Sequence, residues 1–169
     1  FRALVAHVFR TFLPVLLVRE GYSLIAVGAV VTLFTLAGTA SGMIAGYLSD
    51  RIGFRKIFFT SFLMATPFLL LLVVAQGPWV YLLTFLSGFF IMATLPLGVT
   101  LAQTLAPKGR SMVSSLMMGF AFGLGGTMTP IAGAFADAFS IRPVLAAVAF
   151  IPLALVGLVW FLPEPQKKW

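Results

Sequence analysis

Acidic side chains are almost absent from this sequence. Glu20, Asp50, Asp137 and Glu164 are the only acids among 169 residues, cysteine is missing altogether, and His7 is the single histidine. These shortages exclude whole classes of chemistry. Without cysteine there is no disulfide and no thiolate metal site, and one histidine cannot build a metal-ligand cluster. No Walker-type loop is present, so the chain does not encode an ATP-driven pump. Ser41 and Ser87 precede glycines, but neither lies in Gly-x-Ser-Gly and His7 is the one available base, which argues against a serine protease. No enzyme activity, metal or cofactor is expected. Charged residues of both signs make up 9% of the chain, against about 25% in a soluble domain.

What is present is apolar. Hydrophobic residues make up 61% and the mean hydropathy is +1.11, a composition that suits a lipid bilayer rather than water. The apolar runs are too long for a signal peptide. A pI near 10.6 would suggest nucleic acid in a soluble protein. Here the basic residues flank apolar runs, so membrane topology explains them and no nucleic-acid partner is expected. The chain starts at Phe1 inside an apolar segment, which suggests one half of something larger.

About 20 apolar residues cross a hydrocarbon core. Six such spans fit, at about 3–19, 23–48, 56–76, 79–104, 111–137 and 142–162, within one unit of residues 1–163 followed by a cytoplasmic tail at 164–169. The uncharged run from Ile57 to Pro107 must break at Gln76-Gly77-Pro78-Trp79, because Gly-Pro punctuates a helix and Trp favours the headgroup level. The runs do not alternate with period two, so the spans are helices of an all-α membrane protein rather than barrel strands. Threading them collects Arg2, Arg51, Arg55, Lys56, Lys108, Arg110, Lys167 and Lys168 on one side and leaves Arg19 and Arg142 on the other. The positive-inside rule assigns the first side, with both chain ends, to the cytoplasm.

Asp50, Arg51, Arg55 and Lys56 crowd around Gly53 in the short turn between the second and third spans. A topology anchor would need only the basic residues; Asp50 and the glycines at 46 and 53 call for more. Gly53 can turn a very short connection, Gly46 can let a helix end approach a neighbour, and Asp50 can accept hydrogen bonds from Arg or a helix N-terminus. The pattern Gly46-x-x-x-Asp50-Arg51-x-Gly53-x-Arg55-Lys56 resembles the cytoplasmic-loop signature of the major facilitator superfamily. Six spans with this loop after the second resemble one half of such a twelve-helix transporter, itself a 3+3 inverted repeat. The run Ala106-Pro107-Lys108-Gly109-Arg110 and the segment Gly119 to Gly126 are similar to the C-terminal half of the fosmidomycin-resistance branch of bacterial efflux permeases. The resemblance implies an inner-membrane antiporter linked to antibiotic resistance. Its partners would be a missing N-terminal half, a small substrate and protons. It also implies that the loop latches onto the missing half, Asp50 at an opposing helix N-terminus and Arg51, Arg55 and Lys56 on acids or lipid phosphates.

Arg10 is the most informative single residue. It lies eight positions past Arg2, about 12 Å along a helix, and so near mid-membrane if Arg2 marks the inner interface. A central arginine costs at least about 2.5 kcal/mol on insertion scales and usually faces a cavity or a partner. His7 shares its helix face, and Pro14 can kink the helix one turn later. The pair suits an anionic substrate or a proton-linked step; the alternative is that Arg10 pairs with an acid of the missing half. Asp137 continues the four-residue spacing of Gly125, Thr129 and Gly133, as an outer gate, as a proton acceptor or as an interfacial cap near Arg142. Gly38, Gly42 and Gly46 form a smooth ridge on the second span. Gly125, Gly126 and Pro130 resemble, in degenerate form, the Gly/Pro-rich helix of antiporters. The function expected is proton-coupled efflux of a small drug or metabolite, anions among the candidates, by alternating access. The alternatives are uptake or exchange of an anionic metabolite, or a non-transporting six-helix assembly protein.

Overall fold

The computed structural model describes residues 2–161; the tail at 164–169, with Lys167 and Lys168, lies outside the described residues. Among the described residues, seven helices follow one another: α1 (Arg2–Arg19), α2 (Leu24–Ile52), α3 (Phe54–Val74), α4 (Trp79–Leu105), α5 (Arg110–Phe139), α6 (Ile141–Ala149) and α7 (Ile151–Val159), with a 3-10 turn at Pro107–Gly109 before α5. Among the described residues, five segments are long and apolar enough to cross a membrane: Leu24–Ile52, Phe54–Val74, Trp79–Leu105, Pro107–Phe139 and Ile141–Val159. The α1 helix differs in composition, carrying Arg2, Arg10 and Arg19.

The helix ends follow from local chemistry. Ser23 caps α2 by accepting a hydrogen bond from the Ala26 amide at 3.2 Å, as an N-cap hydroxyl does for an orphaned amide. Gly53 alone joins α2 to α3, with φ +90°, a conformation that side-chain-bearing residues rarely adopt. Gly77, with φ +63°, turns the α3–α4 connection, and its amide donates to the Tyr22 hydroxyl at 2.7 Å. The sixth apolar run, read from sequence as one span, is two helices. Pro152 near the start of α7 has no amide to continue the ladder, and the helix interrupts at Phe150.

The helices run alternately up and down. Arg55 at the start of α3 meets Val159 at the end of α7, while Glu20 beyond α1 meets Arg142 at the start of α6. One end of the bundle therefore gathers the Gly53 turn, the Pro107–Gly109 turn and the end of α7; we call it the basic end. The opposite end holds the Tyr22, Gly77 and Ser140 connections. Exchanging the triplet α1–α3 with α4 to α7 carries the packing of α2 on α4 into that of α5 on α1, the relation of an inverted repeat. Both seams join helices of the same direction.

The α2–α4 seam is stepped. Gly88 lies against Phe34, Gly38 against Met92 and Gly42 against Pro96, each four residues further along both helices. A Cβ at Gly88 would come within 2.9 Å of the Phe34 carbonyl oxygen, so here the two backbones touch. In a bilayer, where no hydrophobic force drives one helix onto another, such contacts between small residues hold the helices together. Gly46, which was expected to continue the ridge, has nothing within 4 Å of its would-be Cβ. Its carbonyl instead accepts from the Ser49 hydroxyl at 2.6 Å. Two apolar clusters fill the interior. The larger runs through Val5, Phe9, Leu17, Phe34, Leu69 and Leu145, and the smaller, near the basic end, joins Ile57, Phe58, Leu97 and Val159.

Candidate functional site

A recess of about 270 Å³ opens where α1, α2, α4 and α5 converge. Its walls are Arg2, Ala3, Ala6, His7 and Arg10 from α1, Phe34, Thr35, Gly38 and Thr39 from α2, Met92, Leu95 and Pro96 from α4, and Ala121 and Phe122 from α5. Met92 is the middle residue of α4, and Arg10 lies nine residues before Arg19, about 13 Å from that end of α1. The recess therefore sits at mid-depth.

Arg10 and His7 are brought together there. The Arg10 side chain is exposed and has neither a hydrogen bond nor an ion pair among the described residues. Pro14 lacks an amide, which leaves the Arg10 carbonyl without its usual helical donor as well. His7 is half-buried and ordered on three sides. Its Nδ1 lies 3.0 Å from the Ala3 carbonyl oxygen, the Phe122 ring meets it edge-on at 5.6 Å, and Gly125 backs it from α5. The Thr35 and Thr39 hydroxyls donate to the Val31 and Thr35 carbonyls of their own helix. They therefore offer the recess acceptor lone pairs rather than protons. Among the described residues, the ionisable groups lining the recess are all basic.

Arg2, read from sequence as the marker of the interface, instead lines this recess as well. It shares a second recess with Phe58, Phe62, Gly98 and Met117, roughly two turns inside the basic ends of α4 and α5. Taking the first charge as the interface fails, because the depth of α1 is set by the helices it packs on.

Asp137 does not join this site. It is exposed near the far end of α5 and has no partner among the described residues. Nor does it cap Arg142, whose Nη2 and Nε bind Glu20 Oε1 at 2.6 and 3.0 Å. The rest of its stripe does pack on α1: Gly125 faces His7 and Gly133 faces Phe12, while the Thr129 hydroxyl donates to the Gly125 carbonyl at 2.8 Å. Gly126 meets nothing within 4 Å, and α5 continues as one helix through Pro130.

At the basic end the charged turn is partly committed within this chain. Arg55 Nε donates to the Val159 carbonyl at 3.3 Å, and its guanidinium lies 4.9 Å from the centre of the Trp160 ring. A cation there satisfies an orphaned carbonyl and complements the negative end of α7. Arg51 stacks on Tyr47 at 4.7 Å. Asp50 and Lys56 are exposed, and Asp50 has no ion pair among the described residues.

The sequence reading missed Gly88 and Glu20. Gly88 carried a weak signal, the small pair Ser87-Gly88 inside an apolar run; Glu20 carried none, since its partner lies 122 residues away.

The family model for the major facilitator superfamily matches residues 1–169. The chain belongs to this superfamily. It is 38% identical over 135 residues to the fosmidomycin resistance protein of Escherichia coli (strain K12), covering 80% of this chain and 33% of that protein. It is 33% identical over 134 residues to the uncharacterized MFS-type transporter YfnC of Bacillus subtilis (strain 168), covering 79% and 32%. A gallate transporter of Pseudomonas putida is 29% identical over 163 residues, covering 91% and 35%. The chain spans about a third of the length of these relatives. Its helices form an all-α, multi-pass half of the major facilitator fold, and the proteins it resembles are transporters rather than enzymes.

Proposed function

We propose that this chain is the C-terminal half of a proton-coupled efflux transporter of the bacterial inner membrane, with the basic end in the cytoplasm. The Arg10–His7 recess forms half of its substrate cavity. One observation carries the reading: an arginine at mid-depth, lining a recess and unpaired among the described residues. Such a group is costly unless it faces water, a partner or a ligand. With basic groups alone in its wall, the recess favours an anion, and gallate and fosmidomycin, from the names of two relatives, are the first compounds to try. Alternating access about a midplane site between two halves is the mechanism this architecture supports. Exposed Asp50 is then available to the other half as a switch contact, with Gly53 and Lys56 beside it, and Asp137 is a candidate outer gate. Arg55 is already engaged by the end of α7.

The test uses the full-length transporter. Arg10→Ala removes a charge-assisted hydrogen bond of about 1.5–3 kcal/mol and should weaken anion binding roughly 10- to 150-fold. Arg10→Lys, which keeps the charge without the planar fork, should fall between. Affinity for both compounds and the melting temperature are measured on the same preparations. Normal affinity with lowered stability would show that Arg10 is instead paired structurally with an acid of the other half.

A further inference from the structure

We infer that Gly125 on α5 is a positioning residue for His7, fixing which ring nitrogen faces the recess. The inference rests on the recess being the substrate and proton site only for its functional meaning; the geometry stands without it. A Cβ at Gly125 would lie 2.8 Å from His7 Nδ1, 3.1 Å from Cγ and 3.3 Å from the Ala3 carbonyl oxygen. The imidazole is thus seated directly against the α5 backbone, in space that any side chain would take. A carbonyl oxygen only accepts, so the 3.0 Å contact with Ala3 requires the proton on Nδ1. In the neutral ring Nε2 is then the free lone pair, the nitrogen that takes up a proton or meets a ligand.

Among the described residues, the contact with Ala3 is the one hydrogen bond of the His7 ring. The other ionisable groups of the recess are Arg2 and Arg10, both on α1 itself; its α2, α4 and α5 walls contribute threonine hydroxyls, apolar side chains and glycine. Neither arginine can accept a proton from Nε2, and Phe122 offers His7 only a ring edge. The tautomer is therefore set by Ala3 from within α1 and by the absence of a side chain on α5. Gly133, two turns along the same stripe, faces only the tip of Phe12 at 3.3 Å and serves as a matched control. It follows that a shift of α5 relative to α1 changes the hydrogen-bonding state of His7.

Nitrogen-15 NMR of the histidine-labelled full-length transporter reads the tautomer directly and needs no substrate. The His7 signals are those lost in His7→Gln. The neutral ring should carry its proton on Nδ1. In Gly125→Ala the loss of one hydrogen bond should lower the ratio of the Nδ1–H to the Nε2–H form roughly two- to tenfold, while Gly133→Ala leaves it unchanged. A proton on Nε2 in the unmodified protein, an unaltered ratio in Gly125→Ala, or the same shift in Gly133→Ala overturns the inference. Should Gly125→Ala fail to accumulate in the membrane, adding His7→Ala, which removes the ring it strikes, should restore it; a double variant as poor as the single also overturns the inference. Failure of Arg10 to bind anions would leave all these outcomes readable.

Discussion

The two seams of the inverted repeat solve one packing problem differently. Along α2–α4, glycines stand on both helices: Gly88 meets the Phe34 backbone, while Gly38 and Gly42 receive the Met92 and Pro96 side chains. Along α5–α1 the glycines stand on α5 alone, and the partner fills the space with side chains, His7 and Phe12. In α5 only Gly125, Ala132 and Ala136 are buried, whereas α2 buries seven residues, from Val27 to Ser49. The first seam is backbone against backbone at Gly88 and glycine against side chain at Gly38 and Gly42. The second rests mainly on rings, with the Ala3 carbonyl beside Gly125, and α5 buries fewer residues than α2. The two related seams thus differ in what meets their glycines, and the ring-lined one carries the histidine.

Alanine at the seam glycines should grade this difference. Gly88→Ala should be the most damaging, because the obstacle is the Phe34 backbone, which cannot rotate away; we expect about 2–3 kcal/mol lost in denaturant titrations of the full-length protein. Gly38→Ala meets Met92 Cβ and Cγ at 3.0 Å. Only part of that side chain can give, so the loss should be about 1–2 kcal/mol. Gly133→Ala presses on the far end of Phe12 and should cost under about 1 kcal/mol. Gly126→Ala enters open space and should change stability by no more than about 0.5 kcal/mol. An equal loss at Gly88 and Gly133 would abolish the contrast between the seams, and a loss at Gly126 above that at Gly38 would reverse it.

Much of this fold could be read from composition and punctuation. Gly-Pro at 77 and 78 and the glycine at 53 mark real helix ends, because breaks in an apolar run depend on local backbone chemistry. The Gly38 and Gly42 contacts were legible for a similar reason, since small residues every four positions share one helix face. What failed depended on depth or on partners far along the chain. Gly46 shares the spacing, but α4 does not reach it. Asp137 looked close to Arg142 in sequence, yet Glu20 takes that arginine across 122 residues. The Phe150 interruption had a local signal in Pro152, hidden because the flanking residues are uniformly apolar. The Arg10 and His7 pairing was visible at helical spacing; the contact of His7 with Gly125 was not, because it depends on the register between α1 and α5.

Gly53 leaves no slack between α2 and α3. One residue reaches about 3.5 Å, less than the roughly 5.4 Å of a single helical turn. The two helix ends can swing about this point, but neither can slide past the other by a turn. The corner is a pivot. A piston-like displacement of α2 must drag α3 along with it, and with α3 the Arg55 grip on the end of α7.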